Sequence, residues 1–324
     1  MPTVAPLDLT GHCVAACFLG DIPAFALADG VVHWLADGHE WTVTHDGLLT
    51  AVPTRDGKRL ITGGEDGKVM SLLPNGGAEL LAEVGRKWVT SVATGPQDIV
   101  AFASGKVAYV RFSQGRMREL EHPRSVEGLA FAPKGVRLGA ARYNGATLHF
   151  PATEGKPTEL EWAGAHTGIT FSPDGNFLIT TMQENALHGW KLSDGRHMRM
   201  AGYPAKVKSL SWSAKGRWLA TSGAPAAIVW PFQGKDGPMG KAPLELGTRG
   251  DAMVTQVACH PNEDIAAIGY SDGMILAARF ADQKEVLLRR AGKGAISAMN
   301  WDQEGRRLAF GAETGDCGVV DISA

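Results

Sequence analysis

The chain has 324 residues, of which 32 are Lys or Arg and 34 are Asp or Glu, for a formal net charge of −2. That balance excludes the basic excess of a general nucleic-acid binder and the acidic bias of a disordered, solvating tail. Hydrophobic residues make up 44%, enough for a sizeable core, while 41 Gly and 17 Pro punctuate the chain too densely for long helices and predict an all-β fold of many short strands.

Taken in chain order, the first residues (MPTVAPLD) carry neither a basic head nor an apolar run. No later stretch reaches the roughly 18 uninterrupted apolar residues of a membrane helix. A cytoplasmic protein that does not enter the membrane is expected, and its four cysteines, Cys13, Cys17, Cys259 and Cys317, are read as reduced thiols buried in strands. After a strand-like piece at residues 4–9, one pattern recurs: an anchor, two residues, an apolar residue, one residue, and often an aromatic. Its copies run from Cys13-x-x-Ala16-x-Phe18 through Leu48-x-x-Ala51-x-Pro53, Val89-x-x-Val92-x-Thr94, Val126-x-x-Leu129-x-Phe131 and His166-x-x-Ile169-x-Phe171. They continue with Val207-x-x-Leu210-x-Trp212, Val254-x-x-Val257-x-Cys259 and Ile296-x-x-Met299-x-Trp301. The spacing of about forty residues marks a repeat architecture, and the copies make eight units.

Each anchor is followed by a turn such as Arg55-Asp56-Gly57 or Ser172-Pro173-Asp174-Gly175 and then an apolar run. A second turn follows, such as Asp29-Gly30, Asp66-Gly67, Asn144-Gly145 or Asp272-Gly273, where Gly and Asn supply the left-handed backbone of tight hairpins. A third strand and one more short segment complete a four-stranded meander. A twisted sheet of this kind cannot bury both faces alone, so neighbouring units pack face to face and a closed ring leaves no open end. The last unit stops at its third strand, residues 318–322, and residues 4–9 are expected to supply the fourth, joining the two ends of the chain.

Gly11-His12, Ser172-Pro173-Asp174-Gly175, Asp66-Gly67 and the third-strand Trp190 resemble the WD-repeat β-propellers, with spacing that agrees over essentially the whole chain. The resemblance implies one closed β-propeller domain over residues 1–324, built of four-stranded blades, eight in number with seven as the alternative. In that family a His, Ser/Thr, Asp and Trp set often fastens a blade by hydrogen bonds. Repeat two has His45, Thr62 and Asp66 but Leu72 in the Trp position; repeat five has His166, Thr180 and Trp190 but Glu184 in the Asp position. Elsewhere the set is largely missing, so apolar packing is expected to hold most blades.

No phosphate loop, nucleophile elbow or dinucleotide fingerprint occurs, and Gly63-Gly64-Glu65-Asp66-Gly67 is explained by its hairpin. His12, His45, His122 and His166 recur just before first strands, and His33, His149 and His188 lie in third strands; without a local H-x-x-x-H or Cys/His cluster they are read as structural. No catalytic residue, metal or cofactor is expected. By the same resemblance, the rim formed by loops before first strands and between second and third strands is a platform for a protein or peptide. The residues there are Arg86, Lys87, Trp88, Arg124, Arg142, Tyr143, Glu184, Arg249, Met253 and Tyr270, among them the Trp, Tyr and Arg types that dominate binding hot spots. Trp88 could equally pack between adjacent blades, whereas Tyr143 and Tyr270 precede turns and are expected to be exposed. The expected role is a non-catalytic scaffold, a monomeric ring that engages an acidic or aromatic-bearing partner. The alternative is an enzyme with a site at the ring axis.

Overall fold

The computed structural model describes residues 2–323. Among them are thirty strands and a single 3-10 turn, Pro96–Asp98, so the all-β expectation holds. The strands fall into two compact units. One takes in the chain up to Leu27, His33–His39 and everything from Gly202 onward; the other comprises Ala28–Val32 and Glu40–Ala201.

Hydrogen bonding gathers the strands into seven sheets, six of four strands and one of six. This corrects the expected eight and matches the alternative of seven. The physical reason lies in repeats four and five, which share one sheet. Strand pairing runs unbroken through Leu138–His149, but the chain still reverses at the expected Asn144-Gly145 turn: Arg142 Nε reaches Thr147 Oγ1, five residues on, at 3.0 Å, and the pairing register jumps between Tyr143 and Gly145. Thr158–Phe171 then serves both repeats: its start pairs with Leu138–His149 and its end with Phe177–Met182. The backbone bends sharply within this sheet. Leu148 and Leu160 of repeat four pack in one cluster with Phe171, Leu178 and Trp190 of repeat five, so the two halves still bury a face against each other.

In the first unit, Thr3–Asp8 pairs antiparallel with Asp316–Asp321 in full register, Thr3 opposite Asp321 and Asp8 opposite Asp316. The N-terminal strand thus completes the last sheet, as expected from the sequence. Leu9 and Cys13 enter the cluster that holds Ala298, Ala309, Cys317 and Val319, which ties this strand's pairing to core packing. Cys13, Cys17 and Cys317 are buried thiols, while Cys259 is half-buried and all four are free. Burial pushes Cys17 and Cys259 up to about 12, away from the thiolate form that reacts.

The polar set forms where its residues are present. His45 Nδ1 donates to Asp66 (3.0 Å), leaving Nε2 to accept from the Thr62 hydroxyl (2.8 Å). In repeat five, His166 Nε2 donates to the Trp162 carbonyl (3.1 Å) and Nδ1 faces Thr180 Oγ1 (2.7 Å). Burial lowers both imidazoles, so the neutral tautomers fit these bonds. Repeat six has its own version, not expected from the sequence: Tyr203 takes the His position, its hydroxyl lying 2.8 Å from Thr221 Oγ1 and accepting from Trp230 Nε1 (2.6 Å).

Candidate functional site

The site is built on the Asn144-Gly145 turn of repeat four, in the second unit. Asn144 adopts φ 67° and Gly145 φ 127°. A Cβ on Gly145 would stand 2.1 Å from the Leu160 carbonyl, so only glycine lets the two strands approach here. Asn144 Oδ1 also accepts from the Gly164 amide (3.3 Å). The turn leaves Tyr143 pointing outward with half its surface exposed, 50%, opposite Ala165 on the neighbouring strand.

Arg142, one residue earlier, points the other way and is buried at 7% exposure. Its guanidinium donates from Nε to Thr147 Oγ1 (3.0 Å), from Nη1 to the Tyr143 carbonyl (3.0 Å) and from Nη2 to Glu159 Oε2. Thr147 donates to that same Oε2 (2.9 Å). Burial alone would raise the Glu159 carboxyl, but the bonds from Arg142 and Thr147 outweigh it and hold the group below the ordinary carboxylate range. Arg142 therefore fastens the segment that presents Tyr143. Beneath lie two neutral imidazoles, His122 and His149, with Nε2 atoms 2.9 Å apart; burial takes His149 down to about 4, so one ring donates and the other accepts.

Tyr143 stands between two clefts. The larger, about 660 Å³, is lined by Arg124, Arg142, Tyr143, Glu159, Glu161 and Trp162 among others. The smaller, about 370 Å³, is lined by Arg124, Glu127, Tyr143 and Gln183 among others. Trp162 stacks on His188 with ring centroids 4.1 Å apart and 18° between planes, so the cleft wall is a fixed surface. Glu184 belongs to the same neighbourhood, since a Cβ on Gly164 would meet its carboxylate at 3.1 Å.

Of the residues singled out in the sequence, the structure thus brings together Arg124, Arg142, Tyr143 and Glu184. Arg86, Lys87 and Trp88 sit elsewhere in the same unit, all exposed. Trp88, at 56% exposure, does not pack between sheets; its neighbour Val89 is the residue fully buried there. Arg249, Met253 and Tyr270 belong to the other unit. Two expectations are corrected. Tyr270 is not exposed but completely buried, its hydroxyl donating to the Gly247 carbonyl and its ring lying 5.1 Å from the Arg249 guanidinium; burial raises its pKa. Arg142 and Arg249 are not free cations: the first is consumed by Glu159, and the second by Asp272 (2.8 Å) and Asp251 (3.0 Å).

Sequence reading missed Glu159, Glu161 and Trp162. The signal was present: Glu159 and Glu161 flank the buried Leu160 in a strand, so they share the opposite, wet face, and Trp162 ends that run. Among the described residues no group of three or more His, Cys, Asp or Glu is placed to hold a metal ion, and no helix is long and apolar enough to cross a membrane.

A family model described as the anaphase-promoting complex subunit 4 WD40 domain matches residues 257–324. WD repeat-containing protein 55 of Bos taurus is 26% identical over 204 residues, 60% of this chain and 51% of that protein, so the chain spans about half the length of that relative. Among solved structures, the C-terminal WD40 domain of Sif2 superposes with a TM-score of 0.77 at 13% identity, covering 99% of both chains. A chain in the mitotic checkpoint complex superposes with a TM-score of 0.66 at 15% identity, over 82% of this chain and 88% of that one. At such identities these structures show the fold. The forty-residue repeats, the sheets they form and these likenesses agree: the chain resembles the WD-repeat proteins and has the fold of the WD40 β-propeller domains.

Proposed function

We propose that the chain is a non-catalytic interaction scaffold that holds a peptide or protein partner at the Tyr143 clefts. The observation that carries this reading is a half-exposed tyrosine on a backbone clamped by Arg142, Asn144 and Gly145. An aromatic already held in place loses little conformational freedom on binding, which is how rigid anchors become hot spots. The occurrence of a similarly folded chain in the mitotic checkpoint complex supports a role in assembly. A cytoplasmic, monomeric protein belongs to the same proposal, in keeping with four free thiols.

At the Tyr143 clefts an acidic partner has less support, because Arg142 is already paired with Glu159. The enzymatic alternative gains no support from the shifts at Cys17, Cys259, Tyr203, His149 and His188. Each owes its shift first to burial and not to a catalytic neighbour. The test is affinity capture with the full chain and with Tyr143→Ala, followed by mass spectrometry and thermal melting. Proteins retained by the parent and lost from the variant at an unchanged melting temperature are the expected result. Identical captures from the two chains would overturn the reading.

A further inference from the structure

We infer that the larger Tyr143 cleft takes an arginine side chain of the partner, held by the Tyr143 and Trp162 rings and by the Glu159 and Glu161 carboxylates. The inference rests on the scaffold reading and adds the chemistry of what is bound.

The charge around the cleft is the first argument. Arg142 and Glu159 neutralise each other. In the lining of the larger cleft that leaves Glu161 against Arg124, both exposed and neither in an ion pair among the described residues. Exposed Glu127, in the wall of the smaller cleft, and Glu184, beside Gly164, tilt the surroundings towards a cationic guest. Glu159 also retains capacity: both of its bonds fall on Oε2, leaving Oε1 for a further donor, and 46% of its side chain is exposed.

The aromatic walls are the second argument. Tyr143 and Trp162 both line the cleft, and Trp and Tyr faces attract cations through their ring quadrupoles. His188 backs the Trp162 ring and is itself taken down to about 3 by burial, so it stays uncharged and does not repel the guest. Arginine fits better than lysine. Its planar guanidinium can stack on a ring while its fork of N–H donors reaches carboxylate oxygens, whereas an ammonium is a strongly hydrated point charge. At about 660 Å³ the cleft also has room for backbone on either side of the arginine.

The test uses the full chain labelled with 15N, the Trp162 indole signal being assigned with Trp162→Phe. The probes are acetyl-Gly-Ser-Arg-Ser-Gly-amide and its Lys, Gln and Glu counterparts. The arginine peptide should move the Trp162 signal saturably and bind at least tenfold more tightly than the glutamine peptide, with lysine between them. Glu161→Gln and Tyr143→Ala should each weaken the arginine peptide about fivefold or more at unchanged melting temperature. Equal binding of arginine and glutamine peptides, preference for the glutamate peptide, or an arginine affinity indifferent to Glu161→Gln would each overturn the proposal. Tyr143-dependent capture of a partner without arginine selectivity would refute the arginine guest and leave the scaffold standing. Arginine binding without any Tyr143-dependent partner would do the reverse.

Discussion

Arg142 is the residue at which a strut and a contact are most easily confused, and its replacement separates them. Arg142→Met keeps most of the apolar stem while removing the guanidinium and its bonds to Thr147, the Tyr143 carbonyl and Glu159. Hydrogen bonds to charged groups contribute about 1.5–3 kcal/mol each, and breaking a fully buried ion pair costs about 3–5 kcal/mol because a charge is stranded. Glu159, with 46% of its side chain exposed, regains water when its partner leaves, so the lower end applies. The expected loss is about 2–3 kcal/mol, read as a drop in the urea midpoint at constant slope. A double-mutant cycle with Glu159→Gln should return a coupling of about 1–2 kcal/mol. If Arg142→Met stays within about 0.5 kcal/mol of the parent, as surface substitutions do, and still abolishes partner capture, then Arg142 touches the partner directly and the strut argument fails.

Three further outcomes follow from the same structure. Tyr270→Phe removes a hydroxyl donated to the Gly247 carbonyl in a fully buried site and should cost about 1–3 kcal/mol without altering partner capture; lost capture at full stability would return Tyr270 to the binding surface. A chain beginning at Gly11 lacks the strand that pairs with Asp316–Asp321 and the buried Leu9. Leu9 alone accounts for about 1.5–3 kcal/mol, so a melting curve matching the full chain would show the pairing to be dispensable. Stability should also fall on acidification. Burial takes His149 down to about 4 and His188 to about 3, so below pH about 6.5 the unfolded chain binds protons that the folded chain refuses. Each imidazole then removes up to about 1.4 kcal/mol per pH unit. The loss begins below pH about 6.5 and levels off near each folded value. Denaturant titrations of His188→Phe should show a shallower decline, and an unchanged slope would mean that His188 titrates normally.

The repeat and the pairing of the two ends were legible because they rest on backbone needs. Turn glycines and alternating apolar residues state a meander directly, and a missing fourth strand at one end with a spare one at the other leaves little choice. The sheet count was less legible. Asn144-Gly145 is the strongest short hairpin signal available and the chain does reverse there, at φ 67° and 127°, but the unbroken pairing of Thr158–Phe171 with both repeats has no comparable signal. Exposure was legible only in part. Tyr143 and Tyr270 both stand before a turn glycine but one position out of step: Tyr270 lies opposite Val254 as Arg142 lies opposite Val126, so Tyr270 and Arg142 point inward and Tyr143 outward. The tyrosine of repeat six hid the polar set because a phenol can join Thr221 to Trp230 where an imidazole joins Thr62 to Asp66 in repeat two.

The departure from regular repeats and the candidate site fall at one place, and the coincidence has a mechanical reading. In the other repeats a connection separates the fourth strand of one unit from the first of the next. In Thr158–Phe171 that connection is replaced by extended backbone. Glu159, Glu161 and Trp162 therefore stand on a strand instead of a loop, tied to the Tyr143 segment by ladder pairs and by the Arg142–Glu159 bridge. A strand carries side chains on a fixed pitch with little freedom to rearrange, the condition for preorganised recognition. Natural chains tend to break their own local rules where function requires it. The extended backbone of Thr158–Phe171 and the buried arginine that bridges it to the Tyr143 segment are two such departures at one site.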